Sequence, residues 1–168
     1  MGRSVIYSFD ESLKVGELGE DKILRFLQEQ DGVVDVLDLR NSKTAQRKDI
    51  DFLVKTNDFR FTVELKTDTY RSGNFFFETV SAIETRSLGW TLKSRANLLA
   101  YYFIKTDTLY LLQMSDIRAI VKDDTFQVYK KTVKNRFSNG IYTSEGLAVP
   151  IRCILERVQY RKYLLKNF

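Results

Sequence analysis

The stretch KDIDFLVKTNDFRFTVELK, residues 48–66, decides how this chain folds. It holds two runs in which apolar and polar residues alternate, Asp49 to Lys55 and Arg60 to Lys66, joined by the turn-like tetrad Thr56-Asn57-Asp58-Phe59. A period of two marks half-buried strands, and a short polar link between two such runs marks a hairpin. Symmetric pairing about the tetrad sets Lys55 against Arg60, Leu53 against Thr62 and Asp51 against Glu64. Successive side chains alternate between the faces of a strand. One face therefore carries Ile50, Phe52, Val54, Phe61, Val63 and Leu65 and belongs in a core. The opposite face carries Asp51, Thr62, Glu64 and Lys66 among its polar members.

This register puts two carboxylates side by side. Like charges directly opposite on a sheet are destabilising, so Asp51 and Glu64 call for a compensating group. A divalent cation with oxygen ligands is one, and Lys66 lies on the same face two residues beyond Glu64. The simpler alternative is a solvated strand face with scattered charges.

Upstream, Glu11 to Gln30 reads as a helix whose apolar stripe is Leu13, Ile23, Leu24, Phe26 and Leu27. Glu20 falls near the middle of that stripe. A carboxylate there is costly unless it is paired with a basic side chain or bound to metal. Gly16 and Gly19 lower helix propensity by about 1 kcal/mol each relative to alanine and permit close approach of another segment. Val33 to Leu39 reads as a strand and Arg40 to Lys48 as a polar loop. Downstream, the expectations are a strand at Asn74 to Val80, a helix from Leu92 to about Ala100, and strands at Leu99 to Ile104 and Leu109 to Met114. A short helix follows from Ser115 to Val121. The tail reads as a strand near Phe126 to Lys130, a loop through Asn139-Gly140, a strand near Leu147 to Ile151 and a last helix to about Leu165. The element order is α-β-β-β-α-β with additions, a mixed α/β domain.

Composition sets the chemistry that is open. The 168 residues suit one domain, taken as residues 1–168, and no apolar run reaches the ~20 residues of a membrane span. Met1 to Ser12 lacks the apolar core of a signal peptide, which predicts a cytoplasmic protein with no membrane partner. There is no histidine, so Ser-His-Asp and Cys-His catalysis are excluded, and one cysteine, Cys153, rules out an intrachain disulfide. Acid–base or metal chemistry must come from carboxylates, lysine, tyrosine or bound water. The net charge of +5 and a pI near 9.2 suit a polyanionic partner without requiring one.

Three stretches together resemble the PD-(D/E)xK nuclease superfamily, which includes restriction endonucleases and archaeal Holliday-junction resolvases. They are Gly16-Glu17-Leu18-Gly19-Glu20, Lys48-Asp49-Ile50-Asp51-Phe52-Leu53-Val54 and Phe61-Thr62-Val63-Glu64-Leu65-Lys66. The resemblance covers roughly residues 11–70. It implies a restriction-endonuclease-like αβββαβ core with a mixed sheet flanked by helices, extended by C-terminal strands and a helix. It implies a metal-dependent DNA endonuclease with Asp51, Glu64, Lys66 and Glu20 as catalytic residues. Asp51, Glu64, the Leu65 carbonyl and Glu20 would hold Mg²⁺ or Mn²⁺. On this reading Arg47, Lys48, Arg71, Lys93 and Arg95 contact DNA. Lys93 and Arg95 would do so near the start of the second helix, whose amides would add to the anion site. A homodimer is left open, as is participation of Asp49, Asp68 or Glu78. The alternative is a catalytically silent member of the same fold that binds nucleic acid or protein.

Overall fold

A computed structural model describes residues 9–69, 72–137 and 140–166; the side chains of 9–18 and 136–137 lie outside that description. The chain begins with α1 (Phe9–Gln28), followed by β1 (Val33–Asp38), the single turn α2 (Lys43–Gln46), and the hairpin β2 (Phe52–Thr56) and β3 (Arg60–Asp68). Next come β4 (Asn74–Ala82), β5 (Ser87–Leu88) and the short α3 (Trp90–Lys93). The second half is β6 (Leu98–Phe103), β7 (Thr108–Gln113), α4 (Met114–Lys122), β8 (Lys130–Phe137), β9 (Gly140–Pro150), α5 (Ile151–Leu155) and β10 (Tyr160–Leu164).

The hairpin has the register that its apolar face requires: Lys55 pairs with Arg60, Leu53 with Thr62 and Phe52 with Val63. It forms part of a mixed six-stranded sheet, in the order β1-β2-β3-β6-β7-β10. Within it, β3 and β6 run parallel and the other neighbours antiparallel. A parallel pair needs a crossover. Here the crossover carries β4, β5 and α3, and β4 and β5 join β8 and β9 in a second, antiparallel sheet ordered β5-β4-β9-β8.

Each face of the six-stranded sheet has its own core. On one side Ile23, Phe26 and Leu27 of α1 pack on Phe52, Val54 and Val63. Gly19 is the point of closest approach: a Cβ there would stand 2.4 Å from Thr67 Oγ1. On the other side Phe75 and Phe77 of β4 meet Leu99, Tyr101 and Tyr110, with α4 completing the layer. Phe75 sits edge-on to Tyr101 and Tyr110 at ring-centroid distances of 4.9 and 5.3 Å. Burying several aromatic rings together makes this the larger hydrophobic contribution. Among the described residues no helix is long and apolar enough to cross a membrane.

Four expected elements differ. The helix from Leu92 to Ala100 is not formed: α3 ends at Lys93 and Leu98 already begins β6. Leu92, Ala96, Leu99 and Ala100 mimic helical spacing, but Asn97 ties the chain to the sheet. Its main-chain N–H donates to the Thr62 carbonyl, and its side-chain oxygen accepts from Thr62 N–H at 2.8 Å. The last helix stops at Leu155, and Tyr160–Leu164 instead closes the sheet edge against β7. Phe126 lies in a 3-10 segment, Asp124–Tyr129, opened by the Asp123 carboxylate accepting Thr125 N–H at 2.8 Å. The strand expected near Leu147 extends back to Gly140 in a long hairpin with β8.

Candidate active site

Asp51 and Glu64 meet where β2 enters the sheet. The Asp51 N–H donates to the Val63 carbonyl at 2.9 Å, which continues the ladder one residue before β2. Asp51 Oδ2 accepts the Leu65 N–H at 2.7 Å, so the main chain of β3 fixes this carboxylate. The Leu65 side chain belongs to the apolar face. Its carbonyl is the atom the resemblance nominates as a metal ligand.

Glu64 is not on an open face. In the parallel pairing it lies beside Leu99, with Lys66 beside Tyr101, so the polar face of β3 is the one turned toward the second sheet. Glu64 is only 2% exposed. Its Oε1 accepts Lys66 Nζ at 2.6 Å, and its Oε2 is buried with no hydrogen-bond partner. Burial, reinforced by the nearby Asp51 charge and opposed by Lys66, pushes the Glu64 carboxyl up to about 8. Asp51 is also raised, first by burial, against the pull of the Leu65 N–H and the Lys66 charge. Burial works against the Lys66 ammonium, but Glu64 outweighs it and holds the amine above the ordinary lysine value.

Two residues from the crossover complete this surround. Lys66 Nζ lies 5.2 Å from the centre of the Trp90 ring, a cation–π distance. Glu78 accepts the Trp90 N–H, and burial raises its carboxyl while the Lys66 charge lowers it. Glu78 thus joins the neighbourhood that the sequence left open for it.

Glu20 is nearby, since its charge is felt at Asp51, but it is already engaged. Arg40 Nη1 donates to Glu20 Oε2 at 2.8 Å and also reaches Asp21 and Asp38. Of the two outcomes open to a carboxylate on the apolar stripe, pairing with a basic residue is the one found. Glu20 also sits at the margin of that stripe, with its side chain 35% exposed. Arg40 escaped notice because its partners lie on a helix and a strand that only the fold brings together.

Asp49 is not in a strand, as the alternation suggested. It adopts a left-handed conformation, φ +46°, just after α2. Lys93 Nζ meets its Oδ1 at 2.9 Å, and Ser94 Oγ donates to its carbonyl at 2.7 Å. Left-handed backbone is uphill for a residue with a Cβ, and these two bonds hold it there. Asp68, buried further along β3, accepts the Tyr101 hydroxyl at 2.9 Å.

The basic candidates converge in part. Arg95 N–H donates to the Lys48 carbonyl at 2.8 Å, so the Arg47-Lys48 and Lys93–Arg95 segments are neighbours beside Asp49, with all four side chains exposed. They do not flank a helix start: Lys93 ends the four-residue α3 and Arg95 lies beyond it. Any phosphate contact there rests on the side chains. Arg71 lies outside the described residues.

Among the described residues no three acidic or cysteine side chains converge into a ready-made metal cage. The donors present nevertheless fit a hard divalent cation: two carboxylates with raised proton affinity, one holding a buried oxygen without a partner. Compared with protein-family models, curated proteins and solved structures, the chain matches none.

Proposed function

We propose that this protein is a metal-dependent DNA nuclease of the PD-(D/E)xK kind, with Asp51, Glu64 and Lys66 as its catalytic group. The observation that carries the reading is Glu64: a buried carboxylate with an unpartnered oxygen, beside a second carboxylate and a lysine. Buried ion pairs are poor stabilisers, and hydrophobic replacements often serve the fold as well or better. Strongly shifted ionisable groups held close together point to chemistry.

Asp51 and Glu64 would hold Mg²⁺ or Mn²⁺, which when bound supplies charge neutralisation at phosphate and lowers the pKa of water. Asp51 is preoriented by the Leu65 N–H and needs no rearrangement of its main chain. Lys66 presents an ammonium that stabilises negative charge developing on a phosphate oxygen. Its contact with the Trp90 ring keeps it at the site once it leaves Glu64. The exposed Lys48, Lys93 and Arg95 offer contacts to the DNA backbone, which set position rather than sequence preference. The direct test is cleavage of plasmid and oligonucleotide DNA with either metal by wild type, Lys66→Ala and Asp51→Asn. Cleavage unchanged in both variants contradicts the assignment.

One observation favours the catalytically silent alternative: Arg40 already neutralises Glu20, and Lys66 already occupies one oxygen of Glu64. Calorimetry with Mg²⁺ separates the two, since a silent binder has no need of the cation.

A further inference from the structure

The backbone around Glu78 is built with unusual closeness. The register of β4 on β9 slips between Glu78 and Val80, a β-bulge of the kind that re-aims a side chain. Glycines press on this point from two directions. A Cβ on Gly89 would stand 2.4 Å from the Glu78 carbonyl oxygen, and one on Gly146 would stand 2.8 Å from Glu78 Cα. Gly89 also leads directly into Trp90, whose N–H bonds the Glu78 carboxylate while its ring underlies Lys66. Glu78 therefore comes from the second sheet to the far side of the same tryptophan that Lys66 covers.

We propose that Glu78 is the second counter-ion of Lys66, receiving the ammonium across Trp90 when Glu64 turns its oxygens to a divalent cation. The proposal rests on the nuclease reading above. With Glu64 committed elsewhere, Lys66 loses the partner it has at 2.6 Å and faces a like charge at short range. A site with no second carboxylate would force the cation to compete with Lys66 for Glu64. Asp51 is held by the Leu65 N–H, Asp49 by Lys93 and Glu20 by Arg40. Glu78 is the remaining carboxylate whose charge is felt by Lys66, and its partner is a neutral N–H. Glu78 is thus a positioning residue acting through Lys66.

The test is Mg²⁺ binding to the intact chain by calorimetry, with emission of Trp90, the only tryptophan, as a second readout. Glu78→Gln keeps the shape and an acceptor for the Trp90 N–H. It is expected to weaken Mg²⁺ binding about tenfold. In a Lys66→Met background the same change is expected to have no effect, because no ammonium needs relocation. Glu78→Asp, which retains the charge, is expected to stay within about threefold of wild type and guards against a folding defect in the glutamine variant. Equal weakening in both backgrounds overturns the proposal, since Glu78 would then act on the cation without Lys66. Wild-type affinity in Glu78→Gln overturns it while leaving the nuclease reading intact. A wild-type chain that takes no Mg²⁺ overturns that reading and the proposal with it.

Discussion

Replacing Glu64 with glutamine should make the metal-free protein more stable above neutral pH. The sign follows from proton linkage. Burial raises the folded-state carboxyl from 4.5 to about 8, so between these values the folded protein keeps a proton that the unfolded chain releases. Stability is greatest below pH 4.5 and is lost progressively as pH rises to about 8. At 1.36 kcal/mol per pH unit, this window corresponds to an upper bound of about 5 kcal/mol. Water penetration and relaxation around the charge reduce the realised loss to roughly 2–3 kcal/mol, a large part of the ~5–15 kcal/mol that holds a domain folded. Glutamine abolishes the titration, and Lys66, about a third exposed, can turn to water. The chain has no histidine to add its own titration in this window. The assay is urea unfolding in chelator at pH 6, 7, 8 and 9, followed by Trp90 emission. Wild type should lose stability across the series while Glu64→Gln stays nearly level and exceeds it by roughly 2 kcal/mol at pH 9. Parallel curves, or a variant less stable at every pH, would refute the reasoning.

Other consequences follow from particular contacts. Gly19→Ala should cost about 1–3 kcal/mol, because its methyl meets Thr67 Oγ1; adding Thr67→Ala, which also removes a buried hydroxyl without a partner, should recover most of the loss in thermal melts. Arg40→Ala should destabilise by about 1–2 kcal/mol, since it leaves Glu20, Asp21 and Asp38 as neighbouring carboxylates without their shared cation, and added salt should shrink the deficit. DNA binding measured from low to moderate salt should fall steeply, and Lys48→Ala should reduce the log–log slope by about 1. A slope indifferent to that substitution would remove Lys48 from the contact surface.

The hairpin was readable because its two strands are contiguous, its turn is short and one face is wholly apolar, so a slip of one residue would have put Phe52, Val54 and Val63 in water. The closeness of Asp51 and Glu64 came with it. The surroundings were not readable for a physical reason: the second sheet is built from residues 74–82, 87–88 and 130–150, far from the hairpin in sequence. Alternation showed that Glu64 faces away from α1, but not that Phe75, Phe77 and Leu147 build a core over that face. The bulge that brings Glu78 in has no local signature, although Gly89 and Gly146 are its trace in the sequence. The lost helices share another cause. Apolar residues at helical spacing near Leu92 and in the tail compete with open sheet positions, and the hydrogen bonds of Asn97 and the exposed edge of β7 decide for strand.

The central claim is that Asp51, Glu64 and Lys66 form a cation-dependent cutting site for DNA. Its most direct measurement is the conversion of supercoiled plasmid to nicked or linear forms by purified protein with Mg²⁺, with Mn²⁺ and with chelator. The prediction is cleavage with either metal, none with chelator, and a loss of at least ~100-fold in Lys66→Ala and Asp51→Asn variants that melt as folded proteins. Cleavage that persists in chelator, or in both folded variants at the wild-type rate, would contradict it.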